Sequence, residues 1–119
     1  MRELTEHRVN PANNEITLTA MGEPGAGGAH HRYHMRIGDA LFAAEIVFQN
    51  GPIAETGVNG ITEEVLLAIL ADRLRCFQEG PYKCDENAGA LAAIVGAQVF
   101  LHKRTRGRMV RGVEGTSAV

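Results

Sequence analysis

Residues 85–111 read "DENAGALAAIVGAQVFLHKRTRGRMVR", and they pattern as one long helix. Asp85 is a candidate cap and Glu86 suits the first turn, because an oxygen acceptor and a negative charge both complement the open N–H groups at a helix start. Gly112 offers a stop. The span is about 26 residues, or roughly 39 Å. Its first part, "AGALAAIVGAQVFL", is apolar nearly all round. A helix of that kind is buried on more than one side, which a small sheet and one shorter helix do not provide alone. The pattern therefore predicts packing against a second chain.

The end of the same helix is basic. Lys103, Arg104, Arg106, Arg108 and Arg111 fall within nine residues of a chain whose net charge is -2. Residues 1–86 hold seven Lys/Arg against thirteen Asp/Glu, whereas residues 87–119 hold five against one. That asymmetry points to an anionic partner at this end. Arg104 and Arg108 are four apart, and Arg111 is seven from Arg104, so the three share a helix face. Spacing alone leaves two readings open, a solvated helix end favoured by the dipole or a grip on phosphates.

Upstream, the helical period begins at Thr62. Thr62 is a plausible N-cap, Glu63 and Glu64 suit the first turn, and Val65, Leu66, Ile69, Leu70, Leu74 and Phe77 make an apolar face. "GP" at 80–81 ends this helix, so helices are expected at 62–79 and 85–111. Before about Glu55 the period is two, which marks half-buried strands. "EITLTA" puts Ile16 and Leu18 on one face, "HRYHMRI" aligns Tyr33, Met35 and Ile37, and "LFAAEIVFQ" aligns Phe42, Ala44, Ile46 and Phe48. The opposite face of the second strand carries Arg32, His34 and Arg36. "NG" at 50–51 offers a tight hairpin turn. The expected fold is α+β, an antiparallel sheet of three or four strands over residues 12–56 followed by two helices that dimerise.

Composition sets the outer limits. A length of 119 residues fits a single domain, and 45% hydrophobic with 22% charged residues is ordinary for a folded soluble chain. No run of 18 apolar residues and no apolar leader are present, so a cytoplasmic location is expected. Cys76 and Cys84 match neither a disulfide framework nor a zinc site and read as small apolar side chains. "GEPGAGG", 22–28, lacks the Gly-Lys-Ser/Thr of a phosphate loop and reads as a flexible connection.

Catalytic and metal chemistry find little support. His31 and His34 in "AHHRYH" point to opposite faces of a strand and chelate poorly, which favours surface histidines. "GVNGIT", 57–62, reads as a turn and N-cap before an anion site. No base stands beside either cysteine, and Ser117 is the only serine. The chain reads as a binder.

The stretch "GPIAETGVNGITEEVLLAILADRLRCFQEGPYKCDENAGALAAI" followed by "LHKRTRGRMVRGVEGT" resembles the first type of Thoeris anti-defence protein, a family of small phage and prophage proteins. "FQEGP", "ENAGAL" and "KRTRGRMVRGVEGT", in that order, carry the resemblance over roughly residues 50–119. It implies a non-enzymatic protein without catalytic residues, metal or cofactor. Such a protein holds cyclic ADP-ribose isomers, glycocyclic forms included, that a TIR-domain defence protein makes from NAD. It further implies cyclic di- or trinucleotides at a separate site of a larger assembly, up to a hexamer. Its ligand pocket would use Phe77 to stack on adenine, Asn87 for polar contacts, and Arg104 and Arg108 for the pyrophosphate. Gly96 and Gly107 depart from the family's helix formers, each costing roughly 1 kcal/mol against Ala, and a bend at Gly107 would fall between the two arginines.

Those residue types suit the ligand, since an aromatic ring covers a flat base and guanidiniums donate two hydrogen bonds at once to phosphate. Asn87 and Arg104 are 17 residues apart, or roughly 25 Å on one helix, too far for one compact nucleotide. Two antiparallel copies would meet that need with two equivalent pockets. The rival readings are a nucleic-acid module using the same basic end, disfavoured by few aromatics and negative net charge, and an enzyme that destroys the signal.

Overall fold

The computed structural model describes residues 1–39 and 42–119, and the chain divides into two compact units, 1–61 and 62–119. In the first unit, β1 (Arg2–Leu4), β2 (Ile16–Met21), β3 (Arg32–Ile37) and β4 (Phe42–Val47) form an antiparallel sheet in sequence order. A single turn, α1 (Pro11–Asn14), precedes β2; the side chain of its cap, Asn10, accepts from the Asn13 N–H at 2.9 Å. The expected α+β order is what the structure contains. β1 lies upstream of the expected sheet, because three residues are too few to display an alternating period. The strand expected to begin at Leu41 starts, for its first residue, outside the described residues.

Register explains the alternation. Leu18, Met35 and Ala44 stand opposite one another across three strands, as do Ala20, Tyr33 and Ile46 one pair along. Side chains two apart point the same way, so these rows form the apolar face. Ala20 is fully buried there, and Tyr33 meets Phe48 edge to face at 5.7 Å. The opposite face carries Arg32, His34 and Arg36; Arg32 pairs with Glu45 of β4 at 2.8 Å.

Asn50–Gly51 is not a hairpin turn, which corrects the sequence reading. Among the described residues no strand follows β4; Phe48 instead bridges in parallel to Ile61, with Gln49 N–H donating to the Ile61 carbonyl and Ile61 N–H to the Val47 carbonyl, each at 2.8 Å. The loop between them contains the short α2 (Ile53–Thr56) and is closed by amide side chains. Asn59 Oδ1 accepts from Asn50 N–H at 2.8 Å while its Nδ2 donates to the Asn50 carbonyl at 2.7 Å. Gly60 is required here, because a Cβ would sit 2.3 Å from the Phe48 carbonyl carbon. "GEPGAGG" is likewise no loose connection: it makes a 3-10 turn at Ala26–Gly28, where Ala26 N–H donates to Asn50 Oδ1 at 3.2 Å and its carbonyl accepts from His31 Nε2 at 2.8 Å.

The second unit is a hairpin of α3 (Glu63–Gln78) and α4 (Asp85–Val110). Thr62 occupies the N-cap position of α3 in extended backbone, but its side chain makes no capping bond. α4 is capped by Cys84, not Asp85; the Cys84 Sγ accepts from Asn87 N–H at 3.4 Å, and Asp85 becomes the first helical residue, where its charge still complements the dipole. Both cysteines are free thiols with exposed side chains. α4 runs unbroken through Gly96 and Gly107. It stops at Gly112 (φ 72), with Gly112 N–H donating to the Met109 carbonyl and Val113 N–H to the Arg108 carbonyl, both at 3.0 Å. These two bonds satisfy carbonyls the helix itself leaves open.

Burial in the hairpin centres on Ala71, which is fully enclosed. The expected α3 apolar face divides: Leu66, Leu74 and Phe77 are half-buried, whereas Val65, Ile69 and Leu70 are exposed. α4 exposes Val99, Phe100, Met109 and Val110, with Phe100 at 74%. Among the described residues no side chain larger than alanine is fully buried. Two helices present only one face each to one another, so a pair of helices with apolar residues all round leaves much of that surface open.

Candidate functional site

The connection between α3 and α4 is built by its flanking side chains. Gln78 clamps it, its Oε1 accepting from Cys84 N–H and its Nε2 donating to the Cys84 carbonyl, both at 3.1 Å. Within that connection, the Tyr82 ring centroid lies 6.0 Å from that of Phe77, edge to face. Asn87, in the first turn of α4, donates from Nδ2 to the Tyr82 carbonyl at 3.3 Å. Phe77 and Asn87 thus lie at the same end of the hairpin, joined through Tyr82.

Phe77 also lines an open depression on α3, with Ala68, Ile69, Asp72, Arg73 and Cys76. These residues recur at three- and four-residue intervals and so share one face. The Arg73 guanidinium stands over the Phe77 ring, its Cζ 4.8 Å from the centroid. Arg73 and Tyr82 belong to this end and were missed in the sequence reading. The signal for Arg73 was its place one helical turn before Phe77, where a cation reaches the ring face.

Arg104 and Arg108 lie at the opposite end of the hairpin. α4 is continuous, so 17 residues separate Asn87 from Arg104, or roughly 25 Å along the axis. One hairpin brings Phe77 and Asn87 together and keeps both from the arginines. The arginines differ from one another. Arg104 is exposed, and its side chain, like those of Lys103 and Arg106, makes no hydrogen bond or ion pair among the described residues. Arg108 is 11% exposed and engaged through all three of its nitrogens: Nε donates to Glu114 Oε2 at 3.2 Å, Nη1 to the Ala118 carbonyl at 2.7 Å, and Nη2 to the Val113 and Thr116 carbonyls at 2.9 and 3.2 Å.

Other candidate groups have local roles. His30 and His31 donate to the Met21 and Ala26 carbonyls and tie down the β2–β3 connection. "GVNGIT" is the turn closed by Asn59. Among the described residues no three His, Cys, Asp or Glu side chains gather as a metal-ligand set, and no helix is long and apolar enough to cross a membrane.

Comparison with known proteins bears on this geometry. A family model described as Acb2/Tad1, hairpin domain, matches residues 43–106, which takes in α3 and most of α4. A curated protein of Bacillus phage SBSphiJ7, "Thoeris anti-defense 1", is 45% identical over 73 residues. The alignment covers 61% of this chain and 51% of the phage protein, so the chain spans about half the length of that relative.

Proposed function

The chain belongs to the Acb2/Tad1 hairpin-domain family, and from that premise we propose that it counters Thoeris defence by sequestering a cyclic ADP-ribose isomer in the cytoplasm of the bacterial host. It does so without turnover. Phe77 stacks on the adenine, Asn87 supplies polar contacts, and Arg104 and Arg108 hold the pyrophosphate. The carrying observation is the division of the hairpin into an aromatic end at the α3–α4 connection and a basic end at the far terminus of the unbroken α4. Each end offers half of what an adenine-pyrophosphate ligand needs.

The pocket forms between two copies arranged antiparallel, so that Phe77 and Asn87 of one meet Arg104 and Arg108 of the other. Exposed Val65, Ile69, Leu70, Val99 and Phe100 supply the apolar surface that such pairing removes from water. Sequestration then acts by mass action: copies must outnumber signal molecules, and dissociation must be slow. Dimers assemble further, to a hexamer, which gives cyclic di- or trinucleotides a separate place to bind.

The test incubates purified protein with extract containing TIR-made signal, removes free nucleotide, heat-denatures the protein and identifies what is released by mass spectrometry. Release of an intact cyclic ADP-ribose isomer, lost in Arg104→Ala, is the expected result. A linear product would make the protein an enzyme. No nucleotide at all would return the basic end to nucleic acid or plain solvent, and affinity for DNA falling steeply with salt would decide for the former.

A further inference from the structure

Arg108 has five N–H donors, and the four contacts it makes all go to residues 113–118. That segment is knotted on itself as well. Thr116 Oγ1 donates to the Val113 carbonyl at 2.5 Å and accepts from Ala118 N–H at 3.2 Å, while Arg111 Nη1 donates to the Val119 carbonyl at 3.0 Å. Residues 113–119 therefore fold back as a strap over the basic end of α4.

We propose that this strap is an intramolecular competitor for Arg108, released when an anion takes its place. A phosphate needs the N–H groups that the strap now occupies, so both cannot hold the arginine fully. Glu114 is the group that a phosphate displaces most directly, being the one charged partner of Arg108 among the described residues. Two features make exchange feasible. Arg104, one turn earlier on the same face, is open to meet the anion first. The strap is also lightly anchored, with half-buried Val113 as its only large apolar side chain inside the fold and residues 116–119 exposed. Segments with few apolar contacts open at little cost. An anion that engages Arg104 alone leaves the strap in place, whereas one that reaches both arginines must displace it and binds more weakly by the cost of that release.

The inference rests on the phosphate-binding reading of the basic end, and two probes separate it from the nucleotide assignment. Hydrogen exchange at Thr116 and Ala118 is measured in the full chain, alone and with saturating cyclic ADP-ribose or inorganic pyrophosphate. Both amides are expected to be protected in the free protein and to lose protection with either probe. Glu114→Gln, which keeps shape and removes charge, should bind pyrophosphate roughly fivefold more tightly, the worth of an ion pair at the upper end for half-exposed partners. Thr116→Val should act in the same direction. Loosening by pyrophosphate without cyclic ADP-ribose binding leaves the strap standing and removes the nucleotide assignment. Protection unchanged or increased with both probes, or unaltered affinity in both variants, overturns the strap.

Discussion

Phe77→Ala and Arg104→Ala, each purified alone and then mixed, test whether a pocket is shared between two copies. Loss of a base-stacking ring costs about 1–3 kcal/mol, and loss of a hydrogen bond to a charged group about 1.5–3 kcal/mol, so each variant alone should bind cyclic ADP-ribose about tenfold or more weakly. On a helix that keeps Asn87 roughly 25 Å from Arg104, the intact halves of the two variants lie on different chains. Refolding equal amounts together makes about half of the dimers mixed. A mixed dimer has one pocket with both native side chains and one with neither. About a quarter of all pockets should therefore regain wild-type affinity if the proposed two-fold dimer forms. Isothermal titration calorimetry reads this as a tight class with a stoichiometry near one ligand per four chains. A mixture that regains no tight sites would place the whole pocket in one copy and refute the argument from helix length.

Three further outcomes follow from local geometry. Gly60→Ala drives a Cβ to within 2.3 Å of the Phe48 carbonyl carbon and should destabilise the protein by about 2 kcal/mol or more, read as a lowered thermal midpoint. Gly107→Ala meets nothing within 4 Å of the added Cβ, so helix propensity alone applies; the expected gain is about 1 kcal/mol, or roughly 4 °C. A loss in its place would mean that another copy packs against Gly107. Cys84→Ala removes the cap of α4 and should cost about 1 kcal/mol, whereas Cys84→Ser restores an acceptor; equal loss in both would show that the thiol packs and does not cap.

The helices were legible because their signals are local. Change of period at Thr62, the "GP" break and Gly112 each act within a turn or two of the residue concerned, and α3 and α4 lie where those signals put them. The errors came where a tertiary partner decides. Asn50–Gly51 carries the chemistry of a two-residue turn, yet Asn59, nine residues on, takes the Asn50 backbone, and Ile61 takes the edge that a returning strand would have used. Asp85 is the better capping residue in isolation, but the Gln78 clamp fixes Cys84 in extended backbone, and the cap falls there. In α3, apolarity at Val65, Ile69 and Leu70 identified a face without saying what covers it.

The candidate site was legible by residue type and much less by state. A ring, an amide and a pair of guanidiniums at helical spacing can be read from the chain, and so can the distance that separates them. The condition of Arg108 cannot, because three of its four acceptors are backbone carbonyls of residues 113–118, and every residue but none in particular offers one. The fourth left a trace: Glu114 is the only acid after Glu86. A lone carboxylate placed six residues beyond an arginine, where a glycine stop turns the chain back, marks that arginine as occupied. Arg104, with no acid within nine residues on either side in the sequence, is marked as open by the same reasoning. Reading a basic cluster therefore requires asking of each cation which acceptor the following turn returns to it, before assigning it to a ligand.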